Sequence, residues 1–574
     1  MHGKADTDLS TGEASALSDV IGPFISVIPV PFQAHGTLRQ IIHRQAAFQN
    51  QSKPHYNIHP RIVRKFLRKL ENEPLYPAIF NFIPDLDEQA TCENNGLWRR
   101  MDDVVGLSVE HAIALNVFLT KDNIIKTELT ANRKYMDYAH LDILARQIHA
   151  LIDLVLRQPD AELSQVKSRL DADLLSVTPP NSETETNPAW TKSPTAWVDK
   201  NASLHPNWPA AEVVTSFEYD KMITRRWSYE QLRKAYQNVA ALIQSTGCTK
   251  RSIAVCVERS LDVYAIILAI MRTGNTYLPI AEDLPHDRKL FLLKDSDAAL
   301  LFTNKALSDS FSNISQSCQT VLVENINYLK RVDIRQHISS RPTDNAYLLY
   351  TSGSTGKPKG VLVSRGNLMS FIEAISHFIS SHVDMHALQG KGKWLGMASY
   401  AFDVHLLEMF FTWRHGMSTV TAPRSMLLDG LELALQKLKV THASFVPSLV
   451  DNAGLDPVNL PDLRYMSLGG EKITKKAINT WSRSHVALAN AYGPTEVTIG
   501  CSFQRVKPDT NVRNVGFPLS YTVAHVLRFE SEEYTLRGTS GELCLTGDLV
   551  ANGCLLYTSP SPRDATLSRM PSSA

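Results

Sequence analysis

Hydrophobic positions recur along the chain with two periods, and these mark out its elements. Leu144, Ile148, Leu151, Ile152 and Val155 fall on one face at helical spacing, so an amphipathic helix is predicted there, running to Leu156. Leu232, Tyr236, Val239, Leu242 and Ile243 form a second stripe of the same kind. Residues 263–271 (VYAIILAIM) are apolar all round and read as a buried helix, entered near Ser260-Leu261-Asp262 and stopped at Gly274. Residues 115–130 (LNVFLTKDNIIKTELT) hold two β-rich runs about Lys121-Asp122-Asn123, the pattern of a hairpin. Residues 252–257, 299–303 and 320–323 are short apolar runs expected to be buried strands. Residues 21–32 (IGPFISVIPVPF) read as an extended apolar segment broken by proline.

The order of these elements predicts an α/β protein. After residue 200, strands alternate with helices, which points to a layered, largely parallel sheet. Ligands of such sheets sit at the strand C-termini. Residues 158–200 shift towards Pro, Ser, Thr and Asn and read as an exposed linker at a domain boundary. From residue 554 to 574 periodicity disappears among Ser, Pro and Arg, so that tail reads as disordered or non-native and is left out of the fold.

Length and charge narrow the function classes. The 574 residues are too many for one ordinary domain. Lys+Arg 59 against Asp+Glu 58 leaves no basic excess for nucleic acid. No apolar run approaches the roughly 20 residues of a membrane helix, so neither nucleic acid nor membrane is an expected partner. Seven Cys without a C-x-x-C pair indicate neither a zinc site nor a disulfide framework, and a cytoplasmic location is the default.

Residues 350–360 (YTSGSTGKPKG) carry the candidate chemistry. The composition alone would suit a flexible linker, but the stretch lies between the apolar runs 346–349 and 361–363. A Gly/Ser/Thr loop between strands offers backbone N–H groups, hydroxyls and lysine to a polyphosphate. It is not the G-x-x-x-x-G-K-(S/T) loop, because Pro358 follows Lys357 and Thr351 stands where that loop begins with glycine.

The string from Thr351 to Gly360 resembles the phosphate motif (S/T)-S-G-(S/T)-T-G-x-P-K-G of adenylate-forming enzymes at all ten positions. Further elements resemble that family in order: WSYEQL at 227–232, MRTGNTYLPI at 271–280, SLGGE at 467–471, NAYGPTEVT at 490–498 and GELCLTGDLVANG at 541–553. The resemblance implies a reaction between a carboxylate and the α-phosphate of ATP, with ATP and Mg²⁺ bound. It implies that Thr351, Ser352, Gly353, Ser354, Thr355, Gly356 and Lys359 hold the phosphates. It places Gly469, Gly470, Glu471, Asn490, Tyr492 and Gly493 around adenine, Thr495 at the α-phosphate and Glu496 on the metal. The plain alternative for Glu496 is a surface carboxylate.

AFDV at 401–404 resembles the F-D-x-S element of amino-acid-activating domains in nonribosomal peptide synthetases. The resemblance implies that Asp403 pairs with a substrate ammonium, the contact an amino acid needs. The alternative is that Asp403 caps the helix beginning at Val404. By position, Val404, Leu407, Ser444, Ser467, Gly469, Ala491, Ile499 and Gly500 would line the side-chain pocket, which is roomy, uncharged and suited to a bulky apolar or aromatic amino acid. Residues 21–30 and 76–82 resemble segments of condensation domains, whose acyltransferase-like α/β fold would then occupy residues 1–157 in part. Residues 201–553 would form the large adenylation subdomain.

Three departures follow. No His-His pair exists, so the N-terminal region resembles only the C-terminal half of a condensation domain. The resemblance ends near Gly553, before the family's Y-x-T-G-D element, its catalytic lysine and a phosphopantetheine carrier domain. The chain is therefore expected to be a fragment of a synthetase, weakly active or inactive alone. The competing expectations are an acyl- or aryl-CoA ligase of the same superfamily and a catalytically dead nucleotide-binding module.

Overall fold

The structure is a computed structural model that describes residues 35–52, 78–86, 113–120, 123–132, 136–166, 169–178, 187, 189–218, 221–311, 318–329, 341–351, 358–555 and 568–569. The chain divides into two compact units, Met1–Val177 with Val526–Gly541, and Thr178–His525 with Glu542–Ala574.

The first unit holds α1 (Leu38–Ser52), β1 (Ala78–Leu86), β2 (Ile113–Thr120), β3 (Ile125–Ala131) and α2 (Tyr138–Arg157). Strands β2 and β3 pair antiparallel from Ile113↔Ala131 to Leu119↔Ile125, which is the predicted hairpin. Asn123 takes φ +60° in its turn, a conformation asparagine tolerates. Strand β1 pairs parallel with β2. Helix α2 is the predicted amphipathic helix; the Asp137 side chain caps it by accepting the His140 N–H. Gln147 on α2 donates to the carbonyls of Leu174 and Arg537, at 3.0 and 2.9 Å, which ties Val526–Gly541 into this unit. Residues 21–32 lie outside the described residues.

The second unit begins inside the stretch read as linker. Residues 196–204 form α3 (Ala196–Leu204), and Trp197, Val198 and Ala202 are buried. Two apolar side chains and a tryptophan bury enough surface to fix a short helix despite its Pro- and Ser-rich flanks.

Next come β4 (Pro209–Glu218), β5 (Lys221–Ser228), α4 (Tyr229–Ser245), β6 (Ser252–Cys256), α5 (Leu261–Arg272), β7 (Thr276–Pro279), β8 (Leu300–Thr303), β9 (Gln319–Leu322), β10 (Asn345–Thr351), β11 (Lys359–Ser364) and α6 (Arg365–Ser380). They are followed by β12 (Lys393–Leu395), α7 (Val404–Arg414), β13 (Ser418–Thr421), β14 (His442–Phe445), α8 (Pro447–Ala453), β15 (Tyr465–Leu468), β16 (Ala487–Tyr492), β17 (Ser502–Arg505), β18 (Phe517–Pro518), β19 (Glu542–Gly547) and β20 (Gly553–Cys554). A seven-stranded sheet runs β9-β8-β6-β7-β10-β11-β20, and a nine-stranded sheet runs β18-β17-β16-β15-β14-β12-β13-β4-β5. Neighbours are parallel through the middle of each sheet and antiparallel towards one or both edges. Residues Ser568–Arg569 of the tail pair with β19, so this part of the excluded segment joins a strand.

Side-chain alternation explains the layering. Ile253 and Val255 of β6 face the largest core cluster, whereas Ala254 and Cys256 face another. That central cluster also takes Tyr347 and Leu349 from β10, Trp394 from β12, Tyr465 from β15 and the buried faces of α5, α6 and α7. Helices therefore lie between the two sheets. The outer face of the nine-stranded sheet buries Ala443, Met466 and Leu468 against Leu435 and Trp481. Strands covered on both faces need continuous apolar runs, as the sequence has. Helix α5 buries Leu261 and every residue from Val263 to Met271, and Gly274 at φ +81° follows its end. Among the described residues no helix is long and apolar enough to cross a membrane.

Candidate active site

The candidate residues gather at the ends of strands in the second unit. Strand β10 ends at Thr351 and β11 begins at Lys359; these two pair in register and close the loop between them. Ser352, Gly353, Ser354, Thr355 and Gly356 lie outside the described residues. Gly469 and Gly470 follow β15, and β16 ends at Tyr492. Ser444 and Ser467 stand opposite each other on β14 and β15, with hydroxyls 2.8 Å apart.

Glycines here are required by close approach. A Cβ on Gly493 would lie 2.3 Å from Gly500 Cα, and one on Gly469 would lie 3.1 Å from the Ala491 carbonyl. These contacts draw together the turn after β15, the end of β16 and the segment 498–500. Asn490 donates to the Asn514 carbonyl at 3.0 Å, anchoring β16. Glu471 accepts the Ser448 N–H and hydroxyl at 3.1 and 3.0 Å. It thus satisfies the N-terminus of α8 and braces its own turn. Tyr492 is half-buried, and burial pushes its phenol up.

Asp403 occupies the N-cap position of α7, yet its side chain makes no capping bond. Its Oδ2 instead accepts the Ile499 N–H at 3.1 Å and the Tyr347 hydroxyl at 3.3 Å. Asp403 as a whole is 5 % exposed. Burial pushes its pKa up to about 6, against the opposing effect of these two hydrogen bonds and of its own backbone N–H, and the negative Glu496 adds to the rise. Leu407 lies one turn further along α7 and is buried, Val404 is half-buried, and Ile499 is 8 % exposed.

The segment that meets Asp403 is strained. Thr498 and Ile499 have φ +41° and +66°, left-handed values that two β-branched residues rarely adopt. Such backbone costs about 1–3 kcal/mol per residue. The Thr498 hydroxyl donates to the Leu549 carbonyl at 2.6 Å, and the Ile499 N–H goes to Asp403, so the strain is held from two sides.

Sequence reasoning did not find the residues that hold the Asp403 loop. Glu408, buried on α7, accepts the N–H groups of Met397 and Ala398. Burial pushes Glu408 up to about 8. Arg259 donates to the carbonyls of Gly396, Met397 and Ala398 at 2.7–2.9 Å. The one available signal was a glutamate within the apolar run 406–411; Arg259, between Glu258 and Ser260, gave none.

Glu496 sits in the short 3-10 turn Thr495–Val497 and is partly exposed. No described residue gives its carboxylate a hydrogen bond or ion pair. No cluster of three or more metal-binding side chains exists among the described residues. A single carboxylate with no partner among the described residues fits Mg²⁺, which keeps waters and phosphate oxygens and takes one or two carboxylates from protein.

Residues 198–555 match the family model described as AMP-binding enzyme. The chain is 46% identical over 546 residues to the nonribosomal peptide synthetase sidC of Aspergillus fumigatus, covering 94% of this chain and 11% of that protein. It is 39% identical over 553 residues to the nonribosomal peptide synthetase sidN of Epichloe festucae, covering 94% and 12%. It is 34% identical over 571 residues to the siderophore peptide synthetase fer3 of Mycosarcoma maydis, covering 93% and 12%. The chain thus spans about a tenth of the length of these relatives. Among solved structures, a four-domain nonribosomal peptide synthetase bound to AMP and glycine has a TM-score of 0.74 at 20% identity, over 97% of this chain and 42% of that one. The N-terminal subdomain of Klebsiella oxytoca NpsA has a TM-score of 0.55 at 20% identity, over 67% of this chain and 96% of that one. The chain belongs to the AMP-binding enzyme family, and carries an adenylation domain of the nonribosomal peptide synthetase kind.

Proposed function

We propose that this chain is the part of a siderophore-type peptide synthetase that activates an amino acid as its aminoacyl-adenylate. The observation that carries the reading is Asp403: a buried carboxylate with one oxygen tied down, to which the proposed pocket adds a wall of uncharged residues. Burying a carboxylate is costly, and a cationic ligand offsets that cost. A substrate ammonium supplies that cation; a fatty acid has none. The wall residues Val404, Leu407, Ser444, Ser467, Gly469, Ala491, Ile499 and Gly500 carry no charge, which favours an uncharged substrate side chain.

In this reading the substrate carboxylate oxygen forms a bond to the α-phosphorus of ATP, and the bond to the leaving pyrophosphate breaks. Thr351, Lys359 and the loop Ser352 to Gly356 receive the β- and γ-phosphates. Tyr492, Gly469 and Gly470 receive adenine, with Asn490, Glu471 and Gly493 fixing the turns around it. Thr495 faces the α-phosphate. Glu496 is the protein ligand for Mg²⁺, which when bound offsets phosphate charge.

The larger setting is proposed from the relatives. The match over 94% of the chain extends well before residue 198, so the N-terminal region also resembles synthetase sequence. We assign residues 1–157 to part of a condensation domain, 158–200 to the connection and 201–553 to the adenylation subdomain. The adenylate would pass to a phosphopantetheine carrier domain of the parent synthetase. The test is a calorimetric titration of the chain with amino acids in the presence of ATP and Mg²⁺, repeated with Asp403→Ala. Amino-acid binding that vanishes in the variant supports the reading. Fatty- or aryl-acid binding that ignores the substitution overturns it.

A further inference from the structure

Tyr347 lies on β10, in the strand that ends at Thr351, the first residue of the phosphate loop. Its side chain is fully buried. An apolar residue would serve a core position as well, so the hydroxyl needs a reason. It donates to Asp403 Oδ2, the oxygen that also takes the Ile499 N–H. Both donors therefore hold the same oxygen. The other, Oδ1, receives no hydrogen bond from another described residue.

We propose that Tyr347 is a positioning residue for amino-acid binding: with the strained Ile499 N–H it pins Asp403 by Oδ2, leaves Oδ1 for the substrate ammonium, and registers that carboxylate to the strand carrying the phosphate loop.

Three observations converge on this role. Alternation puts Tyr347, Leu349 and Thr351 on one side of β10, so the phenol and the first loop residue share a rigid strand face. Strand β10 is fixed on both sides, by β7 and by β11, so the phenol cannot drift. The Thr498–Ile499 backbone keeps left-handed φ values at a cost, and the bond from Ile499 to the same oxygen shows where that cost is spent. Adenylation needs the amino-acid carboxylate and the α-phosphate in near-attack geometry, and a shared strand sets that distance before either substrate arrives.

Among the described residues, the charged and titratable groups around Asp403 are few. Glu496 faces it from the turn after β16 and raises its pKa, and Tyr347 faces it from β10. On its own helix, His405 donates its Nδ1–H to the Phe402 carbonyl and is kept neutral by burial, which pushes it down to about 4, and burial pushes Glu408 up to about 8.

The proposal rests on the reading of Asp403 as the ammonium partner, and the experiment separates the two. Wild type, Tyr347→Phe, Asp403→Asn and the double variant are unfolded thermally across pH 4.5 to 8.5 without ligand. The difference between each Asp403 protein and its Asn counterpart isolates the Asp403 titration, and cancels Glu408. The folded-state midpoint fitted to that difference is expected near pH 6 in wild type, and about one pH unit higher with Tyr347→Phe, because a donor to the carboxylate is gone. The same proteins are then titrated with the twenty proteinogenic amino acids in ATP and Mg²⁺. Tyr347→Phe is expected to weaken amino-acid affinity about three- to tenfold and leave ATP affinity unchanged. A merely structural phenol would lower the melting temperature equally at every pH and move neither midpoint nor affinity. An unchanged midpoint in Tyr347→Phe overturns the positioning role, even if Asp403→Asn abolishes amino-acid binding. Amino-acid binding that survives Asp403→Asn overturns the underlying reading instead.

Discussion

The two ends of the site each present a carboxylate, and the protein treats them in opposite ways. Asp403 is buried, bonded at one oxygen by two donors, and met by strained backbone. Glu496 is partly exposed and takes nothing from the described residues. On the proposed reading, the difference follows from what each would receive. An ammonium arrives as a compact charge that must be recognised in a dry pocket, so its partner is fixed beforehand. A magnesium ion arrives with phosphates and water, so its ligand needs access more than rigidity. Preorganisation is concentrated where the ligand brings no geometry of its own.

The sharpest way to break this comparison is to remove the fixed carboxylate. Asp403→Ala should lower amino-acid affinity by a hundredfold or more, on the order of 3–5 kcal/mol, because it leaves a desolvated ammonium unpaired. Calorimetric titration reads this directly, and a loss below tenfold would place the ammonium elsewhere.

Next in size is the stability cost of the same residue. The folded pKa of Asp403 is about 6 against 3.8 for the ordinary carboxyl. Its folded pKa lies above the unfolded value, so its contribution is fully present below pH 3.8 and lost as pH rises through 6. Two pH units correspond to about 3 kcal/mol at pH 8. Asp403→Asn should therefore raise the melting temperature of the ligand-free chain at pH 8, and the gain should fade towards pH 4. A gain that is constant with pH would mean the carboxylate is not the source.

Gly493→Ala tests whether close approach, rather than charge, sets the nucleotide end. Its Cβ would meet Gly500 Cα at 2.3 Å, backbone against backbone. The expected loss is about 1–3 kcal/mol in chemical denaturation, with weaker ATP binding. The smallest structural effect should come from Glu496→Gln. That carboxylate holds no partner among the described residues, so melting should shift by less than about 0.5 kcal/mol. The magnesium dependence of ATP binding should nevertheless weaken. A large stability loss there would erase the contrast between the two carboxylates.

Much of the fold could be read from residue patterns, and the site only in part. The stripe of Leu232, Tyr236, Val239 and Ile243 lies buried on α4, and the hairpin about Asn123 forms as its turn residues require. Local periodicity suffices for such elements. The helix Ala196–Leu204 escaped because its anchoring Trp197 and Val198 sit among turn-forming residues, and burial against distant elements decides it. Partition of the strands between two sheets depends on pairings between segments far apart, which no local pattern contains. Within the site, motifs pointed to Asp403 but not to its partners. Tyr347 looks like one more apolar strand residue. Thr498 and Ile499 lack the glycine that usually signals positive φ. Arg259 and Glu408 look like surface charges until the loop they hold is seen.

The central claim is that Asp403 reads an ammonium group. The most direct measurement titrates the chain, with ATP and Mg²⁺, with an amino acid it binds and with the same acid lacking its α-amino group. The account predicts at least a hundredfold weaker binding of the des-amino acid to wild type, and no such difference with Asp403→Ala. Equal binding of the two acids by the wild-type chain would contradict it.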